Sequence, residues 1–247
     1  MFGLIGYPLG HSFSAKYFAE KFKRENLEEQ YCLFPLKRIE ELDSLISENI
    51  GLKGLNVTIP YKELVIPYLD ELSPDASAIG AVNVIRVFKS NNGEKPCLRG
   101  YNTDWEGFSL SLSPLLTGNE KNALVLGTGG ASKAVVYALS KLGIKSQLVS
   151  RKKRDSVLTY EDLNKSIIED NLLIINTTPL GMFPNTQSAP MIPYEYLTSR
   201  HICYDLVYNP LETEFLKRCA AMGATTKNGL EMLHLQADLS WKIWNEH

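Results

Sequence analysis

The sequence has 247 residues, of which 44% are hydrophobic and 22% are charged, with a formal net charge of -2 at neutral pH. This composition is typical of a globular protein and excludes long disordered or collagen-like segments. Lysine and arginine are dispersed along the chain, so it lacks the basic stripe that binding to nucleic acid requires.

The N-terminal residues and the cysteines match no secretion-signal or metal-binding pattern that we considered. No run of about 18 apolar residues occurs, and the N-terminal residues lack the basic segment of a secretion signal, so we predict a cytoplasmic protein without membrane association. The four cysteines, Cys32, Cys97, Cys203 and Cys219, have neither CxxC spacing nor matching histidines. We therefore expect reduced, mostly buried thiols, and no metal site.

The first part of the chain alternates between strand-like and helix-like segments. After a predicted strand at 2–6 and a Gly/Pro loop at 7–14, an apolar stripe with helical spacing is formed by Ala15, Phe18, Ala19 and Phe22. Further predicted elements are a strand near 30–35, a helix near 39–48, a strand at 55–58, a helix from about residue 60, and two strands at 82–88 and 97–101 that form a hairpin around a polar turn at 91–93. This alternation predicts a largely parallel sheet.

A second series of strands and helices follows a helix that starts near Asp104. We place a domain boundary near residue 103. Strands of the second series are predicted at 123–126, 146–150, 172–175 and 203–207. No internal repeat of 20 to 50 residues is visible, which excludes a solenoid. The fold class predicted is α/β with two domains.

A glycine-rich turn follows the first strand of the second series, with the sequence Gly127-Thr-Gly129-Gly130-Ala131-Ser132, and an apolar helix comes next. Such glycines let the backbone approach a pyrophosphate at a helix N-terminus. Ser132 stands where the strict fingerprint has Gly or Ala, so a plain tight turn is the alternative. The strand-turn-helix context favours a dinucleotide site.

A basic loop follows the next strand, where Ser150 precedes Arg151-Lys-Lys-Arg154. An enzyme that uses NAD usually presents an acidic residue to the ribose here. Arginine can form paired hydrogen bonds with a 2′-phosphate that an acidic residue would repel, so the sequence favours NADP over NAD. The alternative is a solvated basic loop.

Two later strands end in turns at the edge of the sheet where ligands bind. One strand leads into the segment 176–182, which includes Thr177 and Met182, and the other leads into Tyr208-Asn209-Pro210. The segment Tyr208-Asn209-Pro210 is either a simple turn in which the proline ends the strand, or a turn that lines a nicotinamide pocket.

The loop at 7–14 contains two serines separated by one residue, Ser12 and Ser14. In an extended segment this spacing places both hydroxyls on one side, where they could bind a small carboxylate. The alternative for Ser14 is that it caps the following helix. We assign no role to His11.

Four polar residues elsewhere have simple structural explanations. Thr58 is predicted at the carboxyl end of a strand and Lys62 near the same tip, yet a lone lysine is usually a solvated surface residue. Asp104 could cap the helix that contains Trp105. Asn83 could be an edge or bulge residue.

The C-terminal segment predicts a docking helix. Its apolar stripe is formed by Leu230, Leu233, Ala237, Trp241 and Trp244, and Gln236 lies off that stripe.

Together, the segments GYPLGHSFSAKYF, GLNVTIPYKE, IGAVNVI, GYNTDWEG, GTGGASKA and NGLEMLHLQA are similar in type and order to those of the shikimate dehydrogenase family. The resemblance implies an N-terminal α/β substrate domain at 1–103, an NADP-binding Rossmann domain at 104–228, and a final helix at 229–247 that returns to the first domain. Ser132 and the somewhat short chain depart from the family pattern, and we expect shorter surface loops to account for the length.

The resemblance also implies site residues and a reaction, the NADPH-dependent reduction of 3-dehydroshikimate to shikimate. Lys62 and Asp104 match the family's catalytic pair. The expected substrate ligands are Ser12, Ser14, Thr58, Asn83 and Gln236. The expected cofactor contacts are Gly127, Gly129, Gly130, Ala131, Ser132, Ser150, Arg151, Thr177, Met182, Tyr208 and Gly229. The expected partner is a small-molecule substrate, and the expected oligomeric state is a monomer or homodimer.

Two other functions stay open at this point. One is an enzyme of the same superfamily that also or preferentially oxidises quinate. The other is a catalytically silent NADPH-binding protein, which would need the glycine loop but no proton donor such as Lys62.

Overall fold

The computed structural model describes residues 1–10, 12–88 and 95–246. The polar turn predicted at 91–93 and His11 lie outside these residues. Contacts between Cα atoms divide the chain into two compact units, the first comprising Met1–Thr103 with Ala237–His247 and the second comprising Asp104–Gln236.

The first unit is built on a mixed sheet. Its strands are β1 (Phe2–Gly6), β2 (Tyr31–Pro35), β3 (Gly54–Val57), β4 (Glu71–Leu72), β5 (Val84–Phe88) and β6 (Cys97–Tyr101). Their order is β2-β1-β3-β5-β6-β4. β1 is parallel to both of its neighbours, whereas β5 is antiparallel to β3 and β6. The predicted hairpin therefore exists and lies in the same sheet.

The helices of this unit are α1 (Phe13–Arg24), α2 (Leu42–Glu48), α3 (Tyr61–Leu64) and α4 (Pro74–Ile79), with 3₁₀ turns at Ile39–Glu41 and Ile66–Tyr68. The stripe predicted on α1 is partly wrong, because Ala19 is exposed and Lys21 is buried beside Phe18 and Phe22. The Lys21 ammonium pairs with Asp238 at 3.3 Å, so its alkyl stem can cover apolar surface while its charge is satisfied.

The second unit has a fully parallel sheet. Its strands are β7 (Asn122–Leu126), β8 (Lys145–Ser150), β9 (Leu158–Thr159), β10 (Leu173–Asn176), β11 (Ile202–Asp205) and β12 (Thr225–Lys227). Their order is β12-β11-β10-β7-β8-β9, and each pair of neighbours is parallel. The chain leaves β7 first to one side and then to the other, so a topological switch point lies between β7 and β10.

The helices of the second unit are α5 (Asp104–Leu112), α6 (Gly130–Lys141), α7 (Lys165–Asp170), α8 (Glu214–Ala221) and the first part of α9 (Leu230–Asn245), with 3₁₀ turns at Ser113–Leu115, Tyr160–Asp162 and Tyr194–Tyr196. Within the described segments, no helix combines the length and the apolar character needed to cross a membrane.

Successive residues of the central strands pack into two different cores. Val125 and Ile175 belong to the core that contains Phe108, whereas Leu124 and Ile174 belong to the core that contains Phe215. Side chains alternate across a strand, so helices cover both faces of this sheet, and its strands are continuously apolar for that reason.

The cysteines carry free thiols, and all four lie in described segments. Cys203 and Cys219 are buried, whereas Cys32 and Cys97 are only half-buried. The expectation of buried thiols therefore holds for Cys203 and Cys219 but not for Cys32 and Cys97.

The second part of α9 packs within the first unit. Trp244 stacks on Phe2 with ring centroids 4.7 Å apart, and its indole nitrogen donates to the carbonyl of Ile85 at 3.0 Å. A Cβ at Gly54 would overlap the same indole. A glycine in β3 thus leaves the space that the helix needs.

Candidate functional site

Two loops meet at the carboxyl edge of the first sheet. The backbone N–H of Thr58, directly after β3, donates to Ile5 of β1 at 2.9 Å, and that of Tyr7 donates to Ile59 at 3.1 Å. A Cβ at Gly6 would collide with the side chains of Thr58 and Leu9. The loop after β1 and the loop after β3 are therefore packed together at this edge.

The geometry predicted for the two serines is wrong. Ser12 is extended and caps α1, accepting a hydrogen bond from the N–H of Ala15 at 3.4 Å. Ser14 lies inside the first turn of α1, so it is not the cap and does not share an extended segment with Ser12. Both side chains are half-buried. Their proposed role as carboxylate ligands remains a prediction.

Lys62 lies on the four-residue helix α3, which begins at Tyr61, so Pro60 occupies the position just before the helix. The Lys62 side chain is half-buried. Its backbone carbonyl accepts a hydrogen bond from the N–H of Val82 at 2.7 Å. Lys62 is thereby fixed beside the chain segment that carries Asn83.

Asn83 and Thr103 form a buried polar pair. The Asn83 Oδ1 accepts from the backbone N–H of Thr103 at 2.7 Å, and its Nδ2 donates to the Thr103 hydroxyl at 3.0 Å. Asn83 is therefore not simply an edge residue. Thr103 was not among the predicted site residues, although its place directly before Asp104 was a signal.

A hydrogen-bonded chain extends this pair, because the Ser240 hydroxyl lies 3.4 Å from the Thr103 hydroxyl. The Tyr31 hydroxyl donates to the Asn56 side chain at 2.7 Å, and the Asn56 amide donates to the Ser240 hydroxyl at 3.1 Å. Tyr31 also forms a hydrogen bond with Ser14. Burial raises the pKa of the Tyr31 phenol, so the phenol keeps its proton and remains a donor. None of these three residues was predicted from the sequence to lie near the site, although Asn56 is a polar residue in the otherwise apolar strand β3.

Asp104 and Gln236 belong to the second unit. Asp104 is 6% exposed. It is the first residue of α5, so it does not occupy the cap position before the helix that we had considered for it. Gln236 is also buried, and its amide donates to the carbonyl of Leu233 at 2.9 Å. The pairing of Lys62 with Asp104 and the contact of Gln236 with substrate remain predictions.

The glycine-rich turn has the geometry that a phosphate requires. Gly127 has a φ of 116°, in the region that favours glycine, and Gly129 caps the N-terminus of α6. A Cβ at Gly129 would meet no atom within 4 Å, so the backbone is open there. The residues present therefore fit a dinucleotide pyrophosphate at the start of the helix.

Ser132 explains how this turn tolerates a departure from the strict fingerprint. The residue is buried, and its hydroxyl donates to the carbonyl of Gly129 at 2.6 Å. A hydroxyl that is satisfied locally can replace a small apolar side chain without leaving a buried polar group unpaired. Gly130 and Ala131 form the first turn of α6.

The basic loop lies at the same edge of the sheet as the glycine turn, because β8 runs parallel to β7 and Val149 pairs with Leu126. Ser150 ends β8, and its hydroxyl accepts from the N–H of Lys152 at 3.2 Å. The side chains of residues 151–154 are exposed. The glycine turn and the basic loop, which are the two features expected of an NADP site, therefore follow adjacent strands.

Residues at the tips of β10 and β11 lie on the other side of β7. The Thr177 hydroxyl donates to the carbonyl of Leu126 at 2.7 Å, which places it against the glycine turn. Met182 is exposed, and Tyr208 is half-buried, with a phenol pKa raised by burial. Gly229 approaches the backbone of Leu206 so closely that a Cβ would overlap it.

Known proteins resemble this chain over nearly its full length. Residues 4–85 match the family model described as the shikimate dehydrogenase substrate binding domain. The chain is 40% identical to the shikimate dehydrogenase (NADP(+)) of Carboxydothermus hydrogenoformans, over 98% of this chain and 90% of that one.

Solved structures of shikimate and quinate dehydrogenases are similar to this chain over nearly its full length. A structure of shikimate 5-dehydrogenase from Thermus thermophilus in complex with NADP(H) and shikimate matches with a TM-score of 0.85 at 30% identity, over 99% of this chain and 92% of that one. Quinate dehydrogenase from Corynebacterium glutamicum in complex with NAD matches with a TM-score of 0.85 at 28% identity, over 99% of this chain and 93% of that one.

Proposed function

The chain belongs to the shikimate dehydrogenase family, and we propose that it catalyses the reversible reduction of 3-dehydroshikimate to shikimate with NADPH, a step in the biosynthesis of chorismate and the aromatic amino acids. The family, the oxidoreductase class and NADP as cofactor follow from similarity over nearly the full length of the chain. The family expected from the sequence is confirmed.

We assign residues 1–103 to substrate binding, residues 104–228 to NADP binding, and residues 229–247 to a C-terminal segment whose helix α9 leads from the second unit back to the first. The observation that carries the assignment of the active site is the hydrogen bond from the N–H of Val82 to the carbonyl of Lys62. It holds an ammonium-bearing helix beside the Asn83 amide, at the sheet edge where Thr58 also lies. A cation and neutral hydrogen-bonding groups together suit a polyhydroxylated carbonyl substrate.

The chemistry assigned to this chain is proton transfer. When bound, NADPH supplies the hydride for the carbonyl carbon. Lys62, paired with Asp104, protonates the C3 oxygen during reduction and accepts that proton in the reverse direction, so that no free alkoxide forms. Ser12 and Ser14 bind the carboxylate, and Thr58, Asn83 and Gln236 bind the remainder of the substrate.

The cofactor contacts are assigned in three groups. Gly127, Gly129, Gly130, Ala131 and Ser132 surround the pyrophosphate at the start of α6. Ser150 and Arg151 bind the ribose 2′-phosphate. Thr177, Met182, Tyr208 and Gly229 form the nicotinamide end of the site.

A turnover assay tests the proposal. The purified protein is incubated with shikimate or quinate and with NADP⁺ or NAD⁺, and reduced nicotinamide is followed by absorbance. We expect the highest kcat/KM with shikimate and NADP⁺. A higher value with quinate would identify the enzyme as a quinate dehydrogenase, and no turnover together with tight NADPH binding would support a silent NADPH-binding protein. A cytoplasmic location and a monomeric or homodimeric state remain predictions.

A further inference from the structure

A buried carboxylate lies where the segments at the nicotinamide end of the proposed site meet. Asp205, the last residue of β11, is 0% exposed. Its Oδ1 accepts from the Asn176 side chain at 2.9 Å and from the backbone N–H of Val207 at 3.0 Å. Its Oδ2 accepts from the Thr213 hydroxyl at 2.6 Å. One side chain thus contacts the tip of β10 and both ends of the loop that contains Tyr208.

Asn176 transmits this contact into the loop after β10. Its Oδ1 accepts from the backbone N–H of Thr178 at 3.0 Å and from the Thr178 hydroxyl at 2.6 Å. Its Nδ2, which donates to Asp205, also lies 3.4 Å from the carbonyl of Leu180. Asn176 is therefore hydrogen-bonded to both Asp205 and the turn between Thr177 and Met182.

Val207 transmits the contact to the start of α9. Its carbonyl accepts from the N–H of Gly229 at 3.2 Å, next to the close approach of Gly229 to Leu206. The N–H of Phe183 donates to the carbonyl of Asn209 at 3.2 Å, which joins the loops after β10 and β11 directly. The segments assigned to the nicotinamide are therefore all connected to Asp205 through short chains of hydrogen bonds.

We propose that Asp205 is a positioning residue, which orients the backbone that binds the nicotinamide half of NADP without touching the cofactor itself. The inference rests on the proposed function, since it uses the residues assigned there to the cofactor. A buried carboxylate costs free energy that its hydrogen bonds only partly offset. Burial raises the pKa of Asp205 to about 6, which is the expected sign of that cost. Its contribution is therefore to orientation more than to fold stability.

The test compares two ligands that differ in the nicotinamide. Binding of NADP⁺ and of adenosine 2′,5′-bisphosphate, which keeps the 2′-phosphate and lacks the nicotinamide, is measured by calorimetry. Asp205→Ala should weaken NADP⁺ binding by about tenfold or more, since three hydrogen bonds that order the loops are lost. Binding of the fragment should change by less than about twofold, because the glycine turn and Arg151 are untouched.

Glu120 offers a matched control in the same unit. It is a buried carboxylate that likewise accepts three hydrogen bonds, from the N–H and hydroxyl of Thr117 at 3.0 and 2.8 Å and from the N–H of Gly118 at 3.1 Å. It precedes β7, at the amino edge of the parallel sheet, away from the ligand edge. Glu120→Ala should leave the affinities for both ligands unchanged.

Two milder variants keep the test decisive even when the alanine variant does not fold. Asp205→Asn retains an acceptor for Asn176 and Val207 and should restore most of the NADP⁺ affinity. Thr213→Val preserves the shape and removes the hydroxyl, which donates to Asp205 and accepts from the N–H of Leu216 at the start of α8. It should weaken NADP⁺ binding by about threefold and leave binding of the fragment unchanged. Unchanged NADP⁺ affinity in Asp205→Ala or Thr213→Val, or equal losses for both ligands, would overturn the inference. A wild-type protein that does not bind NADP⁺ would instead remove the proposed function.

Discussion

Asn83 holds Thr103 by two hydrogen bonds at once, one to its backbone N–H at 2.7 Å and one to its hydroxyl at 3.0 Å. Asn83 directly precedes β5, and Thr103 follows β6 by two positions, so both residues lie at the same edge of the first sheet. Thr103 immediately precedes Asp104 in the chain. The pair therefore defines where the chain leaves the first unit, beside the residue proposed to act with Lys62.

Replacing Thr103 by valine tests the importance of this pair. The substitution keeps the volume and removes the hydroxyl, so we expect a loss of about 1 to 3 kcal/mol in the free energy of unfolding and a higher KM for shikimate. Urea denaturation and steady-state kinetics measure the two effects. Thr103→Ser, which keeps the hydroxyl, should restore KM. A serine variant as impaired as valine would show that the methyl group, and not the hydrogen bond, matters.

Lys62→Ala removes the proposed proton donor. A positioned acid contributes on the order of 100 to 10,000-fold, so kcat should fall by that factor while KM for shikimate changes far less. Lys37→Ala, which removes an exposed lysine of the same unit, is the control and should behave like the wild type. An unchanged kcat in the Lys62 variant would remove this residue from the chemistry.

Arg151→Ala tests the origin of the preference for NADP. We expect a higher KM for NADPH with little change for NADH, because only the contact with the 2′-phosphate is lost. Arg200→Ala removes another exposed arginine of the second unit and should affect neither cofactor. Equal losses for NADPH and NADH would show that the basic loop does not discriminate between them.

The pH dependence of stability should reveal Asp205 directly. Burial raises its pKa to about 6 in the folded protein, above the ordinary value of 3.8 for an aspartic acid exposed to water. The folded state therefore holds an extra proton between these values, and stability is lost as the pH rises from about 4 to about 6.

Relative to Asp205→Asn, the wild type should lose on the order of 3 kcal/mol in its free energy of unfolding as the pH rises from about 4 to about 6. Chemical denaturation at several pH values measures the difference, which isolates Asp205 because the two proteins share all other titrating groups. Parallel pH profiles for the two proteins would contradict the elevated pKa.

Local patterns predicted most of the regular structure. The apolar run before Gly127 and the glycines after it indicated a strand, a turn and a helix, because each step depends on neighbouring residues. Gly143, with a φ of 73° just past the end of α6, is another local feature, because glycine favours this backbone region at the end of a helix. The prediction was wrong where the environment of a side chain depends on a distant segment. Lys21 is buried where it meets the C-terminal helix, with its ammonium 3.3 Å from Asp238 and 5.9 Å from the centroid of the Trp241 ring.

The candidate site divides in the same way. The glycine turn stands out in the sequence because flexible residues follow an apolar run, and the hydrophobic pattern likewise determined the α/β class. Lys62 and Asn83 were singled out only through the resemblance to a known family. Partnerships such as Asn83 with Thr103, Tyr31 with Asn56, or Asp205 with Asn176 were decided only by the tertiary structure. Hydrogen bonds require atoms to meet within about 3 Å, and strands far apart in sequence come that close only once the sheets have formed.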